Sequence, residues 1–405
     1  HPAQLMVSLP QAVATMMDPA TSGPAFIALP QDIQAVAYDY PEVFFEEKIH
    51  RSPRPRPDQD SIAEAAAILK SAQKPMIVAG GGVFYSGAVA TLTSFAEKHG
   101  IPVTETIAGR SQMLHDHKLN AGPLGVIGSS SANALAAEAD VVLAVGTRLQ
   151  DFTTGSWSVF GNESMQLIAI NAASFDAHKH RALSVVGDAK VGLEDLSSAL
   201  GNWAGSPAWI ETAQGHYAEW NRTVDQHSGP SDAVPPSYGQ VVGAINRSCD
   251  STDLALTAAG GLPGELCKNW KTRSIGTFDC EFGFSCMGYE IAGGWGAKMA
   301  DPSRDVIVFV GDGSYLMLNS DIYSTVLTGH KMIVIVCDNG GFSVINRLQN
   351  FKGSASFNNL LKDCKVENLQ GVDFVQHATS MGALGEQVES IAELEAAFKR
   401  AKAAD

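Results

Sequence analysis

The run DVIVFVGDGSYLMLNSDIYSTVLTGHKMIVIVCDNGGF occupies residues 305–342. Its apolar stretch at 306–310 has the length and β-branched content of a buried strand and ends in Gly311, Asp312, Gly313 and Ser314. A helical pattern follows, with Leu318, Ile322 and Val326 spaced by four, and a second apolar run at 332–336 ends in Asp338, Asn339, Gly340 and Gly341. Strand, helix and strand in this order predict a right-handed parallel crossover. Such a crossover delivers both loops to one carboxyl edge of the sheet, where α/β folds bind ligands. Asp312 and Asn339 are therefore expected to face each other.

A carboxylate, an amide oxygen and glycine-exposed backbone at the mouth of a helix suit a hard cation such as Mg²⁺. That ion takes oxygen ligands and fills part of its shell from a phosphate-bearing ligand. The free N–H groups of Gly313 and Ser314 suit the same phosphate. Taken alone, Asp312 reads equally well as a helix cap; the second loop, with Asn339, turns the pair toward a metal–diphosphate site.

The rest of the chain sets limits. At roughly 150 residues per domain, 405 residues predict two to three domains. Forty-three acids against 28 bases leave a charge of −15, which argues against a nucleic-acid surface and equally against an anionic membrane partner. Hydrophobic residues at 45% with 18% charged describe an ordered chain. No apolar run approaches the roughly 18 to 20 residues that span a bilayer, so a soluble protein is expected. All six cysteines lie in the second half without a C-x-x-C pair, which suggests neither a zinc site nor a disulfide framework and fits a reducing cytoplasm. The N-x-S/T triplets at Asn162, Asn221 and Asn246 read as chance matches, and a chain that opens on His1 reads as a fragment.

Along the chain, residues 23–32 read as a buried strand after a helix at 9–17, and RSPRPRPD at 51–58 reads as an extended, solvated linker. From 60 to 200, helices (61–72, 87–99, 131–138) alternate with strands (75–79, 101–104, 140–145, 166–170), which predicts a parallel sheet. A polar, Trp-containing stretch at 201–236 marks the next boundary. From 237 to 405 a second α/β unit is expected, with strands at 253–258, 305–310 and 331–336 and helices at 287–299, 314–328 and 390–402. Gly80, Gly81 and Gly82 lack the full G-x-G-x-x-G spacing and read as a structural turn rather than a nucleotide site. His115, Asp116 and His117 read as a solvated loop.

The Gly-Asp-Gly turn and the Asn-containing turn that follows it resemble the cofactor motif of thiamine-diphosphate-dependent enzymes. The resemblance implies consecutive doubly wound parallel-sheet domains, with side-chain oxygens of Asp312 and Asn339 and the carbonyl of Gly341 on Mg²⁺. The family's doubled Asn is Asp338-Asn339 here. AAGGLPGEL at 258–266 resembles the loop at the far end of the diphosphate, which implies contacts from Gly260, Gly261 and Leu262. FGFSCMGYEIAGGWGAKMA at 282–300 resembles the segment that cradles the aminopyrimidine, which implies contacts from Ser285, Cys286 and Met287; Met287 reads equally as core, and Gly293 and Gly294 as close packing. Gly313, Ser314, Asn339 and Phe342 complete the implied cofactor set. GTRLQDFTTGSW at 146–157 resembles a loop that approaches the active site, although Arg148 and Asp151 could simply pair. The middle unit resembles a central domain that in some members binds FAD or ADP.

Within the family, SCMGYEIAGG, GDGSYLMLNSDIYS, DNGGFSVINRLQ and GTRLQDFTTGSW resemble the branch that opens a trihydroxylated cyclohexane-1,2-dione by hydrolytic C–C cleavage to 5-deoxy-D-glucuronate in myo-inositol breakdown. An acetohydroxyacid synthase-like carboligase is the alternative, and a non-catalytic relic of the fold the more distant one. The resemblance also implies a homodimer or homotetramer with active sites between subunits. The Glu that activates the cofactor would lie in a pyrimidine-binding domain of which residues 1–45 resemble only the end, together with the start of a linker. No residue of this chain takes that catalytic role, and the chain alone is expected to bind cofactor weakly.

Overall fold

A computed structural model describes residues 1–404. Six strands, β1 (Pro75–Ala79), β2 (Val103–Glu105), β3 (Asn120–Pro123), β4 (Val141–Val145), β5 (Gln166–Asn171) and β6 (Leu183–Val186), form one sheet in the order β3-β2-β1-β4-β5-β6. Four more, β7 (Leu254–Thr257), β8 (Phe278–Cys280), β9 (Val306–Gly311) and β10 (Ile333–Cys337), form a second in the order β10-β9-β7-β8. Every pairing is parallel. This is the expected α/β class of doubly wound parallel sheets.

Helices cover both faces of the six-stranded sheet, so its central strands read as unbroken apolar runs. Ile77, Leu143, Ile168 and Ile170 enter one core with the helices Gln59–Ser71, Val89–His99 and Ala189–Leu200, while Met76, Val78, Val142 and Ala144 enter another beneath Ser130–Glu138. The four-stranded sheet repeats the scheme. Ala255, Ile307 and Phe309 pack under the helices Tyr238–Ser248, Leu262–Asn269 and Ile391–Ala403, and Leu256, Val306, Val308 and Val310 pack under Tyr289–Ala300. A Cβ on Gly294 would lie 2.5 Å from the Val308 side chain, so this glycine serves close packing of helix on sheet.

Several expectations change. Residues 23–30 form no strand, and Phe26 is 92% exposed, because neither sheet reaches them and a strand requires a ladder partner. The Pro-Arg linker is extended but docked: Arg54 reaches Asp188 and the Ser86 carbonyl, Arg56 reaches Asp195, and Pro57 is buried against Gly187. The helix expected at 314–328 is two, Asp312–Met317 and Asp321–Thr328, with Leu318 extended between them. Asn319 donates its side-chain amide to the Tyr315 carbonyl, an alternative to the helix ladder at that point. Ile322 alone of the apolar trio is buried. The polar stretch after 200 contains a 22-residue helix, Pro207–Ser228, opened by Pro at its first position and anchored by Trp209 and Ala213.

A buried ion pair of the first sheet reaches across to the second through its arginine. Arg110 pairs with Glu105 at 2.6 Å and donates to the carbonyls of Cys267 and Trp270, at the end of the helix Leu262–Asn269. Glu105 also accepts the amides of Gln112 and Met113. The first sheet's strand β2 thus grips an element that starts at the edge of the second.

Removing one member of such a pair strands the other. Arg110→Met is expected to lower stability by about 3–5 kcal/mol, read as a reduced urea midpoint; a loss below about 1 kcal/mol would contradict the clasp. A second expectation concerns His99, whose ring lies between the Trp203 carbonyl and the Ser197 hydroxyl. Burial holds its imidazole below the ordinary value of 6.5, against the Trp203 bond and with help from Lys98. The unfolded chain then takes the proton first, so this stability is present above about pH 6.5 and falls as pH drops toward the folded value. Wild type should lose midpoint between pH 7 and 5.5 more steeply than His99→Gln; parallel slopes would contradict it.

Candidate functional site

Strand order reverses between β7 and β9, because the chain leaves β7 toward β8 on one side and β9 toward β10 on the other. Parallel pairing sends the loops after all four strands to one edge, and the reversal opens a crevice there. Residues 258–261, 281–288 and 338–342 are three of those loops, and the fourth connection is the abrupt turn at 311–314 from β9 into the helix Asp312–Met317.

Asp312 and Asn339 meet as expected, in a specific way. The Asp312 carboxylate accepts the backbone N–H of Gly341 at 2.7 Å and that of Asn339 at 3.4 Å. The Asn339 side chain donates to the Tyr238 hydroxyl at 2.8 Å, and its oxygen accepts the Ser343 amide at 3.3 Å. Burial pushes the Asp312 carboxyl above its usual range against the pull of the Asn339 and Gly341 amides, and the Asp338 charge adds to the rise. Gly341 has φ 137°, and a Cβ there would lie 2.5 Å from the Asn359 carbonyl, so only glycine lets the loop close. Gly313 lies beneath the Phe342 ring, which a Cβ would meet at 2.6 Å.

The other two loops converge through Glu290. This fully buried carboxylate accepts the amide of Ala259 at 3.1 Å, the amide of Gly288 at 3.0 Å and the hydroxyl of Ser314 at 2.8 Å. Gly260 lies just beyond Ala259 with φ 84°; Gly261 sits against Tyr238 and Arg347, and Leu262 is buried as the first residue of its helix. Ser285 adopts φ 54° and donates to the Ala258 carbonyl at 3.4 Å; Cys286 is exposed and Met287 half-buried outside both cores. Glu281 accepts the amides of Phe284 and Cys286. Burial raises its carboxyl, but the Cys286 and Phe284 bonds outweigh that and hold it below the usual value.

The loop at 146–157 comes from the first sheet and reaches this edge, where Phe152 meets Phe282 edge-on with centroids 4.7 Å apart. Arg148 lies toward Gly283, and no Arg148–Asp151 ion pair forms among the described residues. Gly80 and Gly82 pack directly on Gly146, which supports the structural turn. His115 bonds the Thr272 carbonyl and His117 bonds Glu97, and no cluster of three His, Cys, Asp or Glu able to hold a metal exists among the described residues. The oxygen donors read from the sequence include only one such residue, so this absence does not bear on them. Sequence reasoning missed Tyr238, Arg347 and Glu290. The first two line a cavity of about 570 Å³ with Asn339 and Glu265. A lone acid inside an otherwise apolar, glycine-rich helix start was the available signal for Glu290.

Comparison with known proteins gives the family. Residues 62–196 match the model of the thiamine pyrophosphate enzyme central domain, and residues 258–405 match that of the C-terminal TPP binding domain. Three relatives are each named 3D-(3,5/4)-trihydroxycyclohexane-1,2-dione hydrolase. They come from Geobacillus thermodenitrificans (37% identical, 98% of this chain, 66% of the relative), Clostridium tetani (36%, 99% and 67%) and Clostridium perfringens (38%, 99% and 67%). The chain spans about two thirds of the length of these relatives. With two domain models in sequence order and relatives aligned over nearly all of its residues, the chain belongs to the thiamine pyrophosphate enzyme family and carries that family's TPP binding domain.

Proposed function

We propose that the intact protein hydrolyses a C–C bond of 3D-(3,5/4)-trihydroxycyclohexane-1,2-dione, opening the ring to 5-deoxy-D-glucuronate in myo-inositol degradation. The observation that carries this reading is identity of 36–38% over 98–99% of the chain with relatives that all bear the name of that hydrolase. The same observation weighs against an acetohydroxyacid synthase-like carboligase.

The residues at the sheet edge fit Mg²⁺ and a diphosphate. Asp312 and Asn339 offer hard oxygens, and carboxylate lone pairs beyond those given to Asn339 and Gly341 remain for a cation. In this reading Asp312, Asn339 and the Gly341 carbonyl hold Mg²⁺. Gly260, Gly261, Leu262 and the backbone of Gly313 and Ser314 receive the diphosphate, and Ser285, Cys286, Met287 and Phe342 line the remainder of the cofactor. Thiamine diphosphate, when bound, supplies the electron sink for C–C cleavage. The chain's own part is orientation: the loops after β7, β9 and β10 fix where the diphosphate end lies relative to the substrate. Residues 60–200 and 237–405 would act as the central and diphosphate-binding domains, and residues 1–45 as the end of a pyrimidine-binding domain plus linker. A cytoplasmic homodimer or homotetramer belongs to the same proposal; among the described residues no helix is long and apolar enough to cross a membrane.

Calorimetric titration of thiamine diphosphate with excess Mg²⁺ into the intact protein and Asp312→Ala tests the site, and release of acid from the cyclic dione tests the reaction. Affinity should fall at least tenfold in the variant, about 1.4 kcal/mol or more. Binding without dione turnover, joined by pyruvate condensation, would transfer the protein to the carboligases. Equal binding by the variant would reduce Asp312 to a structural acceptor for the Asn339 and Gly341 amides.

A further inference from the structure

Glu290 takes no part in the cofactor contacts proposed above. A carboxyl group with no solvent exposure is tolerated only where its oxygens are hydrogen-bonded. Three neutral donors, from Ala259, Gly288 and Ser314, engage both of its oxygens here, and no cation pairs with Glu290 among the described residues. Each donor belongs to a different loop of the edge. Ala259 precedes Gly260 and Gly261, Gly288 closes the segment containing Ser285, Cys286 and Met287, and Ser314 follows Asp312 and Gly313. The Gly288 amide also reaches the Ser314 hydroxyl at 2.9 Å, which closes a triangle between two of the loops and the acid.

Glu290 stands in the first turn of the helix Tyr289–Ala300, whose residue Gly294 is packed hard on β9. Its backbone is therefore fixed by the core, and its side chain is a rigid arm extending to the edge. We propose that Glu290 is a positioning residue that fixes the loops at 258–262, 285–288 and 312–314 in one arrangement before ligand arrives, and thereby sets the affinity for a diphosphate-bearing cofactor; this rests on the reading that those loops form the cradle. Preorganisation of this kind raises affinity by removing the cost of ordering loops on binding.

The chemistry specifies what a substitution does. Gln has the shape of Glu but one acceptor oxygen, and its NH₂ must face a donor. The Ser314 hydroxyl can turn and the Ala259 amide cannot. The better placement keeps the oxygen at Gly288 and Ser314 and sets NH₂ against Ala259, so Glu290→Gln releases the loop at 258–262 first.

Two measurements on the intact protein test this. In cofactor-free wild type, hydrogen exchange at the Ala259 and Gly288 amides should be slowed at least a hundredfold relative to an unstructured chain, and unprotected amides would overturn the preformed arrangement without any variant being needed. In Glu290→Gln, Ala259 should exchange at least tenfold faster. The dissociation constant for thiamine diphosphate, titrated with excess Mg²⁺, should rise at least tenfold, and kcat at saturating cofactor should fall by a smaller factor. A folded variant that binds within twofold of wild type, or that loses kcat with affinity unchanged, overturns the inference. A wild type that binds no thiamine diphosphate overturns the cofactor reading instead, an outcome visible before any variant is compared.

Discussion

Parallel pairing of β7, β9 and β10 is the constraint on which the site depends. A parallel strand cannot be followed by a tight hairpin, so each must be left by a crossover, and every crossover starts from the same edge. Four loops accordingly emerge together, and the reversal between β7 and β9 separates their helices enough for a crevice. The remaining features of the edge are ways of making four loops share a small space. Gly341 and Gly313 let backbone approach backbone and ring, Asp312 binds the amides of the neighbouring loop, and Glu290 binds three loops from below.

The edge is also acidic. Glu281, Glu290, Asp312 and Asp338 all stand in or beside its loops, and all four accept backbone amides from within their own or adjacent loops. Amide donors stabilise carboxylates without cancelling their charge at longer range, which is why Asp338 still pushes the Asp312 carboxyl upward. An excess of negative charge beside backbone N–H groups suits a ligand pair of opposite signs, a divalent cation with a diphosphate, better than a free anion. Arg347, in the cavity that Asn339 lines, brings a cation against Gly261.

How much of this was legible follows from the range of each interaction. The runs at 141–145 and 306–310 were legible because a strand buried on both faces is apolar without interruption, a property local to the run; the run at 332–336 is equally apolar although its strand is a half-buried edge. The meeting of Asp312 with Asn339 was legible because crossover handedness converts sequence order into spatial position. β3, β6 and β8 were missed, being three or four residues long, and β3 and β8 also carry Asn, Gly, Pro, Asp or Cys. The helix Pro207–Ser228 was missed because Trp209, Ala213 and Val224 are too sparse a stripe for a pattern search. Tyr238 reaches Asn339 from 101 positions away, and Glu290 acts through three loops that only the folded chain assembles. Neither has a local signature beyond its residue type.

The two sheets are not independent of one another at this edge. The clasp of Arg110 with Glu105 holds the last turn of the helix Leu262–Asn269, while the first turn of the same helix begins at Gly261 and Leu262. The loop at 146–157 approaches from the same side and sets Phe152 on Phe282. The six-stranded sheet thus touches two of the four edge loops, one through a rigid helix and one through an aromatic contact. A short helix transmits displacement of its end to its start, because its length is fixed by its own hydrogen bonds. The central unit is consequently packed against the elements that place the loops at 258–262 and 281–288, through Arg110 and Phe152 respectively.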